Sequence, residues 1–338
     1  MFHRILVPLD GSVRAEQAIP AAARIARAFK GTIILLCVVS PLTGSGKFRG
    51  SQAYPQAILE KRRAEAGEYL QALAASEQLA GLATEQHTAI GAAAPTLLDA
   101  VEALGVDLLV ACRHGLSGFT HWGVGSVAYK LVHQCAVPLL LLPSGQAFAP
   151  AEQRQVRALV ALDGSPFAEM ALEPVAHFLE GLAQAGNQQG ALLLLQVVGK
   201  PASYGRFKSR FVSANDAQVE EEARQQAEQY LAGVAKYLAV SDLAQYRLAV
   251  TTRVVTDPDV AKAIVHTAEQ ELADMIAMTT HGWGGVLHWA LGSIMERVLH
   301  ATRMPLFIFR PPQKGSQRTA TVQVEQGHDQ PEQEAQKG

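Results

Sequence analysis

Short, unbroken apolar runs recur along the chain, each closed by turn-forming residues. ILVPLDGS spans Ile5–Ser12, LLCVV spans Leu35–Val39, GVDLLVA spans Gly105–Ala111 and VPLLLLP spans Val137–Pro143. Runs of this length without polar alternation predict strands buried on both faces. Between them the spacing turns helical. AEQAIPAAARIARAFK (Ala15–Lys30) is Ala-rich and closes at Gly31. AILEKRRAEAGEYLQALAAS (Ala57–Ser76) sets charges on one side and Ala and Leu on the other. Helices alternating with buried strands predict a parallel α/β sheet with right-handed crossovers.

The pattern then repeats. ALVALDGS (Ala158–Ser165) echoes ILVPLDGS, and LLQVV (Leu194–Val198) echoes LLCVV. LADMIAM (Leu272–Met278) follows GVDLLVA in pattern, and MPLFIFR (Met304–Arg310) follows VPLLLLP. Asp10 thus answers to Asp163 and His114 to His281, with residues gained between these points in the second copy. Copies this long predict a duplicated domain and not a solenoid of short units. The expected boundaries are a first domain over 1–145, a polar Gly- and Pro-containing linker over 146–155, and a second domain over 156–312. The Gln- and Glu-rich tail, 313–338, is expected to be disordered. Each copy is expected to hold five strands. The segments Pro41–Gln56 and Gly199–Ser213, after the second strand of each copy, read as surface loops.

Composition narrows the function. The 338 residues carry 29 Lys and Arg against 31 Asp and Glu, so nothing favours nucleic acid or an anionic membrane surface. Three cysteines, Cys37, Cys112 and Cys135, without CxxC spacing, argue against a disulfide framework and a zinc site. They suit a reducing compartment. The N-terminal apolar run is too short for a signal peptide and is interrupted by Asp10. No segment approaches the roughly 20 apolar residues of a membrane span. A cytoplasmic protein is expected.

Candidate chemistry falls at the strand ends, where open α/β sheets collect ligands. Asp10 and Asp163 each end a first strand and precede Gly-Ser and a helix. They read either as ligand-facing acids or as tight turns with capped helices, with Ser165-Pro166 as an N-cap and first helical position. After the fourth strand, HGLSGFTHWGVGS (His114–Ser126) and HGWGGVLHWALGS (His281–Ser293) keep one spacing, His-Gly, nine residues, Gly-Ser. Small residues let backbone N–H groups approach an anion, and glycine supplies positive φ cheaply. A helix start adds free amides and the positive end of its dipole. The doublets His121-Trp122 and His288-Trp289 read more readily as packing than as a base-stacking platform, and His114 and His281 either touch a phosphate or point to solvent. GSGK (Gly44–Lys47) is not a P-loop, since Pro41 and Phe48 stand where glycine and a hydroxyl are needed.

On these residues the chain resembles a tandem universal stress protein. That family opens with a strand ending in Asp and carries Gly-x2-Gly-x9-Gly-(Ser/Thr) after its fourth strand. The resemblance covers 1–143 and 156–311. It implies two tandem open five-stranded parallel sheets in the order 3-2-1-4-5, flanked by helices, the Rossmann-like adenine nucleotide alpha hydrolase-like fold. It implies ATP as cofactor, with or without Mg²⁺. Asp10 or Asp163 would lie near adenine and ribose, and Val38 or Val197 would read adenine by backbone. The triphosphate would lie on Gly115, Gly125, Ser126 and Val127, or on Gly282, Gly292, Ser293 and Ile294. Cys112 and Thr279 replace the motif's first glycine, where a side chain would crowd the ribose or α-phosphate. Ala111 stands where the second copy has Met278, giving a thinner adenine wall. The family pairs through fifth strands, so VPLLLLP and MPLFIFR should meet as an internal pseudo-dimer; association of two chains stays open.

The expected function is an ATP-binding stress-response protein, non-catalytic or at most a weak ATPase, that presents a nucleotide-dependent surface to a protein partner. There is no Walker-type lysine, nucleophile elbow or carboxylate pair beside the cradle. A scaffold of the same fold that binds no nucleotide is the alternative. A nucleotidyl-transfer enzyme is a weaker one.

Overall fold

A computed structural model describes residues 1–41, 54–115, 124–145, 148, 155–199, 214–281, 291–311 and 325–326. Gly282, both His-Trp doublets, the GSGK segment, most of the two long loops and most of the linker and tail lie outside these residues.

The first half runs β1 (Arg4–Leu9), α1 (Val13–Glu16), α2 (Ala18–Phe29), β2 (Thr32–Val39), α3 (Gln56–Ala74), β3 (Ala83–Ile90), α4 (Ala93–Ala103), β4 (Leu108–Cys112), α5 (Ser126–Gln134) and β5 (Leu139–Leu142). The second half repeats this order as β6 (Arg157–Leu162), α6 (Pro166–Glu169), α7 (Leu172–Ala185), β7 (Ala191–Val198), α8 (Ala214–Val240), β8 (Ala249–Thr256), α9 (Val260–Gln270), β9 (Met275–Thr279), α10 (Ser293–Ala301) and β10 (Leu306–Phe309). Helix α8 has 27 residues against 19 in α3, which places part of the second copy's extra length.

The single helix expected over 15–30 is two. Pro20 has no N–H to return to the Glu16 carbonyl, so α1 stops and α2 restarts after Gln17. Pro174 does the same between α6 and α7. Lys30 then ends α2 with φ 52°, and Gly31 follows where a Cβ would press on the carbonyls of Phe2 and His3.

Each half keeps the expected strand order 3-2-1-4-5, all parallel. The two sheets are not separate, however. One sheet of eleven strands crosses the molecule in the order β11-β3-β2-β1-β4-β5-β10-β9-β6-β7-β8. The join is β5 against β10, antiparallel, with Leu140 opposite Phe307. Both are short apolar edges, and Leu139 to Leu142 are each at most 1 % exposed. Leaving them bare would forfeit about 1.5–3 kcal/mol per leucine and expose unpaired backbone. The eleventh strand, β11 (Glu325–Gln326), comes from the tail expected to be disordered and runs antiparallel to β3 at His87 and Thr88.

An apolar layer covers each face and continues through both halves. One face carries α2, α3, α7 and α8, and the other α4, α5, α9 and α10. Where the halves meet, Phe2, Phe29, Phe178 and Phe307 pack ring to ring with centroids 5.0–6.4 Å apart. Phe148, from the polar linker, is buried against Phe178.

Candidate functional site

Strands β1 and β4 are neighbours in the middle of the first half, with Ile5 opposite Leu108. The helices that follow them leave toward opposite faces, which opens a crevice at the strand ends. A cleft of about 110 Å³ lies there. All eight residues singled out in the first copy line it: Asp10, Val38, Cys112, His114, Gly115, Gly125, Ser126 and Val127. Its apolar wall adds Ala93 and Leu97 from α4, Ala111 from β4, and Ala128 and Leu131 from α5.

The polar end is built from backbone. Helix α5 starts at Gly125 with no side-chain cap, and its first intrahelical bond is Tyr129 N–H to the Gly125 carbonyl. The amides of Ser126, Val127 and Ala128 therefore have no intrahelical acceptor. Gly125 has φ −60°, so positive φ is not why glycine is needed. Space is the reason, because a Cβ would lie 3.0 Å from the Arg113 carbonyl oxygen. At Gly115 a Cβ would overlap the Asp10 carboxylate. Positive φ is used elsewhere, at Gly11 (80°) and Gly164 (81°), directly after the two aspartates.

Asp10 serves the turn as well as lining the cleft. Its Oδ1 accepts from the Ser12 N–H (3.1 Å) and hydroxyl (2.6 Å), while Ser12 Oγ caps α1 through the Ala15 N–H. In the second half Asp163 accepts from the Ser165 N–H at 2.9 Å, and Ser165 caps α6 with Pro166 at its first position. His114 Nδ1 lies 3.0 Å from Ser144 Oγ, and His281 Nδ1 lies 2.8 Å from Thr280 Oγ1. Burial, helped by the Asp10 charge, pushes the Cys112 thiol up to about 12, so it stands at the cleft as a neutral group. Thr279, at the matching position, donates its hydroxyl to the His281 carbonyl at 2.7 Å. In the second half Gly292 begins α10 as Gly125 begins α5, and its N–H bonds the Thr280 carbonyl at 2.9 Å. Val197 and Ile294 are half-buried against the same apolar layer as Val38 and Val127.

Sequence reasoning missed three residue sets. Arg113 is 7 % exposed, lines the cleft, and donates Nη1 to the Thr302 carbonyl at the end of α10, 2.7 Å away. Burial lowers its pKa. Tyr69 bonds Glu16 and Tyr230 bonds Glu169, both at 2.9 Å, tying α3 and α8 to the short helices after the aspartates. Only the repeat itself, a Tyr in each long helix and a Glu four residues past each Ser, hinted at these pairs.

The Universal stress protein family model matches residues 1–143 and again 156–310. The chain belongs to the universal stress protein family. Its tandem form has counterparts. A universal stress protein of Mycolicibacterium smegmatis is 24 % identical over 311 residues, 91 % of this chain and 97 % of that one. The shorter universal stress protein YxiE of Bacillus subtilis is 27 % identical over 147 residues, 42 % of this chain and 99 % of its own length. The crystal structure of a universal stress protein from Archaeoglobus fulgidus shares the fold, with TM-score 0.60, 19 % identity and coverage of 92 % and 99 % of the two chains. As a universal stress protein the chain carries two family repeats, and the repeat starts explain the paired Asp-Gly-Ser turns. Among the described residues, no helix is long and apolar enough to cross a membrane.

Proposed function

We propose that the first-half cleft binds an adenine nucleotide, ATP, with Mg²⁺ carried on the phosphates, and that the protein acts in the stress response through nucleotide-dependent contacts with a partner. One observation carries the reading. The eight residues chosen from sequence converge on one cleft, at a helix start that no side chain caps. The cleft also has the right division of labour, apolar at Val38, Ala111 and Leu97 and amide-rich at Ser126 and Val127. Phosphate oxygens would accept from those amides, and the dipole of α5 favours their charge. A purine would lie against the apolar wall.

The residues favour holding over turnover. Cys112 is kept neutral and so is a poor nucleophile. Among the described residues no three His, Cys, Asp or Glu gather where they could hold a metal ion, so in this reading Mg²⁺ is bound by phosphate and water. Equilibrium dialysis with labelled ATP tests the proposal, with saturable uptake expected. No uptake at millimolar nucleotide would sink it.

A scaffold without nucleotide is the second reading. It is favoured by the turn bonds that occupy Asp10 Oδ1 and by the side chains at Cys112 and Thr279. Altering Gly125 separates the two readings.

A further inference from the structure

The halves share one backbone plan but differ where a base would lie. In the first half the apolar wall includes Val38, Ala93, Ala111, Val127 and Ala128. The repeat places Val197, Val260, Met278, Ile294 and Met295 at these positions. Two alanines have become methionines and a third has become valine. Met278 is 7 % and Met295 2 % exposed, and both belong to the apolar layer on that face. Methionine is longer than the alanine it replaces, and Met295 is as deeply buried as Ala128, which lines the first cleft.

A second difference lies beside this wall. Helix α4 starts after Ala92, which makes no side-chain cap. Its counterpart Asp259 caps α9 by accepting the Lys262 N–H at 3.0 Å, and Asp257 accepts the Asp259 N–H at 2.7 Å. Asp259 also pairs with Arg297 of α10 at 2.6 Å. This ion pair bridges α9 and α10, the helices that match α4 and α5 around the first cleft. The first half has Ala92 and Lys130 at these positions and cannot form the pair.

Resting on the nucleotide reading above and extending it, we propose that the chain loads one adenine nucleotide, in the first half. Val260 and Met295 fill the base slot of the second half, and the Asp259–Arg297 pair ties α9 to α10 beside it. The second half keeps the cradle at Gly292 and Ser293 but offers no room for a purine.

The test is stoichiometry. Equilibrium dialysis of the full chain with labelled ATP, checked by native mass spectrometry, is expected to saturate at one nucleotide per chain. Ala128→Met, which gives the first half the second half's residue, should weaken binding by roughly tenfold or more. Met295→Ala combined with Asp259→Ala should raise the count to two. Circular dichroism establishes that Ala128→Met is folded, and if it is not, the double variant decides. Two equivalents in the unaltered chain would overturn the inference and leave the nucleotide reading intact. Loss of the single equivalent in Gly292→Val but not in Ala128→Met would also overturn it, as would a double variant that stays at one. No binding at all would remove the nucleotide reading itself.

Discussion

Replacing Gly125 by alanine asks whether the start of α5 holds phosphate. The backbone there, φ −60° and ψ 147°, is open to alanine, so the change introduces no backbone strain. The new Cβ would sit 3.0 Å from the Arg113 carbonyl oxygen and 3.6 Å from His114 Cα. Reaching ordinary van der Waals contact moves the helix start by roughly 0.4 Å. The Gly125 N–H to Arg113 bond, now 2.8 Å, would stretch toward about 3.2 Å, the limit of a good N–H···O bond. In the apo protein two effects oppose each other. Alanine restricts the unfolded chain, worth about 0.4–1 kcal/mol, and is a poorer N-cap by a similar amount. Stability without ligand should therefore change by less than about 1 kcal/mol. Binding should suffer more, because the Ser126, Val127 and Ala128 amides move with the helix start. Losing the alignment of one bond to a charged oxygen costs about 1.5–3 kcal/mol, or roughly 10- to 100-fold in Kd. At ATP 100-fold over the unaltered chain's Kd, linkage stabilises by about 2.7 kcal/mol, and a variant about 30-fold weaker keeps only about 0.9 kcal/mol. Thermal melts with and without ATP, beside dialysis isotherms, read both quantities. An ATP-induced shift as large as that of the unaltered chain, with overlapping isotherms, would refute the reasoning and favour the scaffold.

Three other outcomes are expected. His177 packs between Phe2, Phe29 and Tyr246, and burial holds its pKa below the ordinary 6.5. The unfolded chain then takes the proton first, so stability should be full above about pH 6.5 and decline as the solution is acidified through the folded value. Denaturant titrations at pH 5.5 and 7.5 should show a smaller drop in His177→Phe, and an equal drop would refute the assignment. Phe178→Ala, at a fully buried ring touching Phe2, Phe29 and Phe307, should cost about 3–5 kcal/mol in urea melts; under about 1 kcal/mol would mean the halves do not depend on this cluster. Cys112, with its thiol pushed up to about 12, should resist iodoacetamide at pH 8 until the protein is denatured, and rapid native labelling found by peptide mapping would contradict the burial.

What the sequence made legible follows from which forces are local. Strands such as Leu139–Leu142 announce themselves, because only a doubly covered strand tolerates four consecutive leucines. The family resemblance then supplied the order 3-2-1-4-5 and the meeting of β5 with β10, and covering two such apolar edges is the physical reason for that join. The break at Gln17 was legible in principle from Pro20, but an Ala-rich run with helical spacing masked it. Strand β11 was missed because composition outweighed pattern: TVQVEQ (Thr321–Gln326) alternates within a polar tail, and its partner edge was known only from the fold. Glycine at 125 was expected for positive φ, but its φ is −60° and the close approach of the Arg113 carbonyl is what a side chain there would meet. Arg113 itself lay beyond sequence reasoning. Its acceptor, Thr302, is 189 residues away and becomes a neighbour only when the halves join.

A duplicated fold also carries its own comparison. The second half forms the same strands in the same order, with α10 starting at Gly292 as α5 starts at Gly125, while burying Val260 partly and Met278 and Met295 almost wholly. The fold therefore does not require alanine at 93, 111 or 128. Filling those positions would bury further apolar surface, worth about 25 cal/mol per Å², so an unfilled wall is the less stable choice for a chain that binds nothing. The first half leaves that wall open beside a helix start, at Gly125, that has no side-chain cap. A ligand that completes the packing and accepts from those amides would return the missing stability to this half, and the β5–β10 join would carry it to the other. The difference between the halves thus fits a bound molecule in the first, because the same frame accepts larger side chains at these positions.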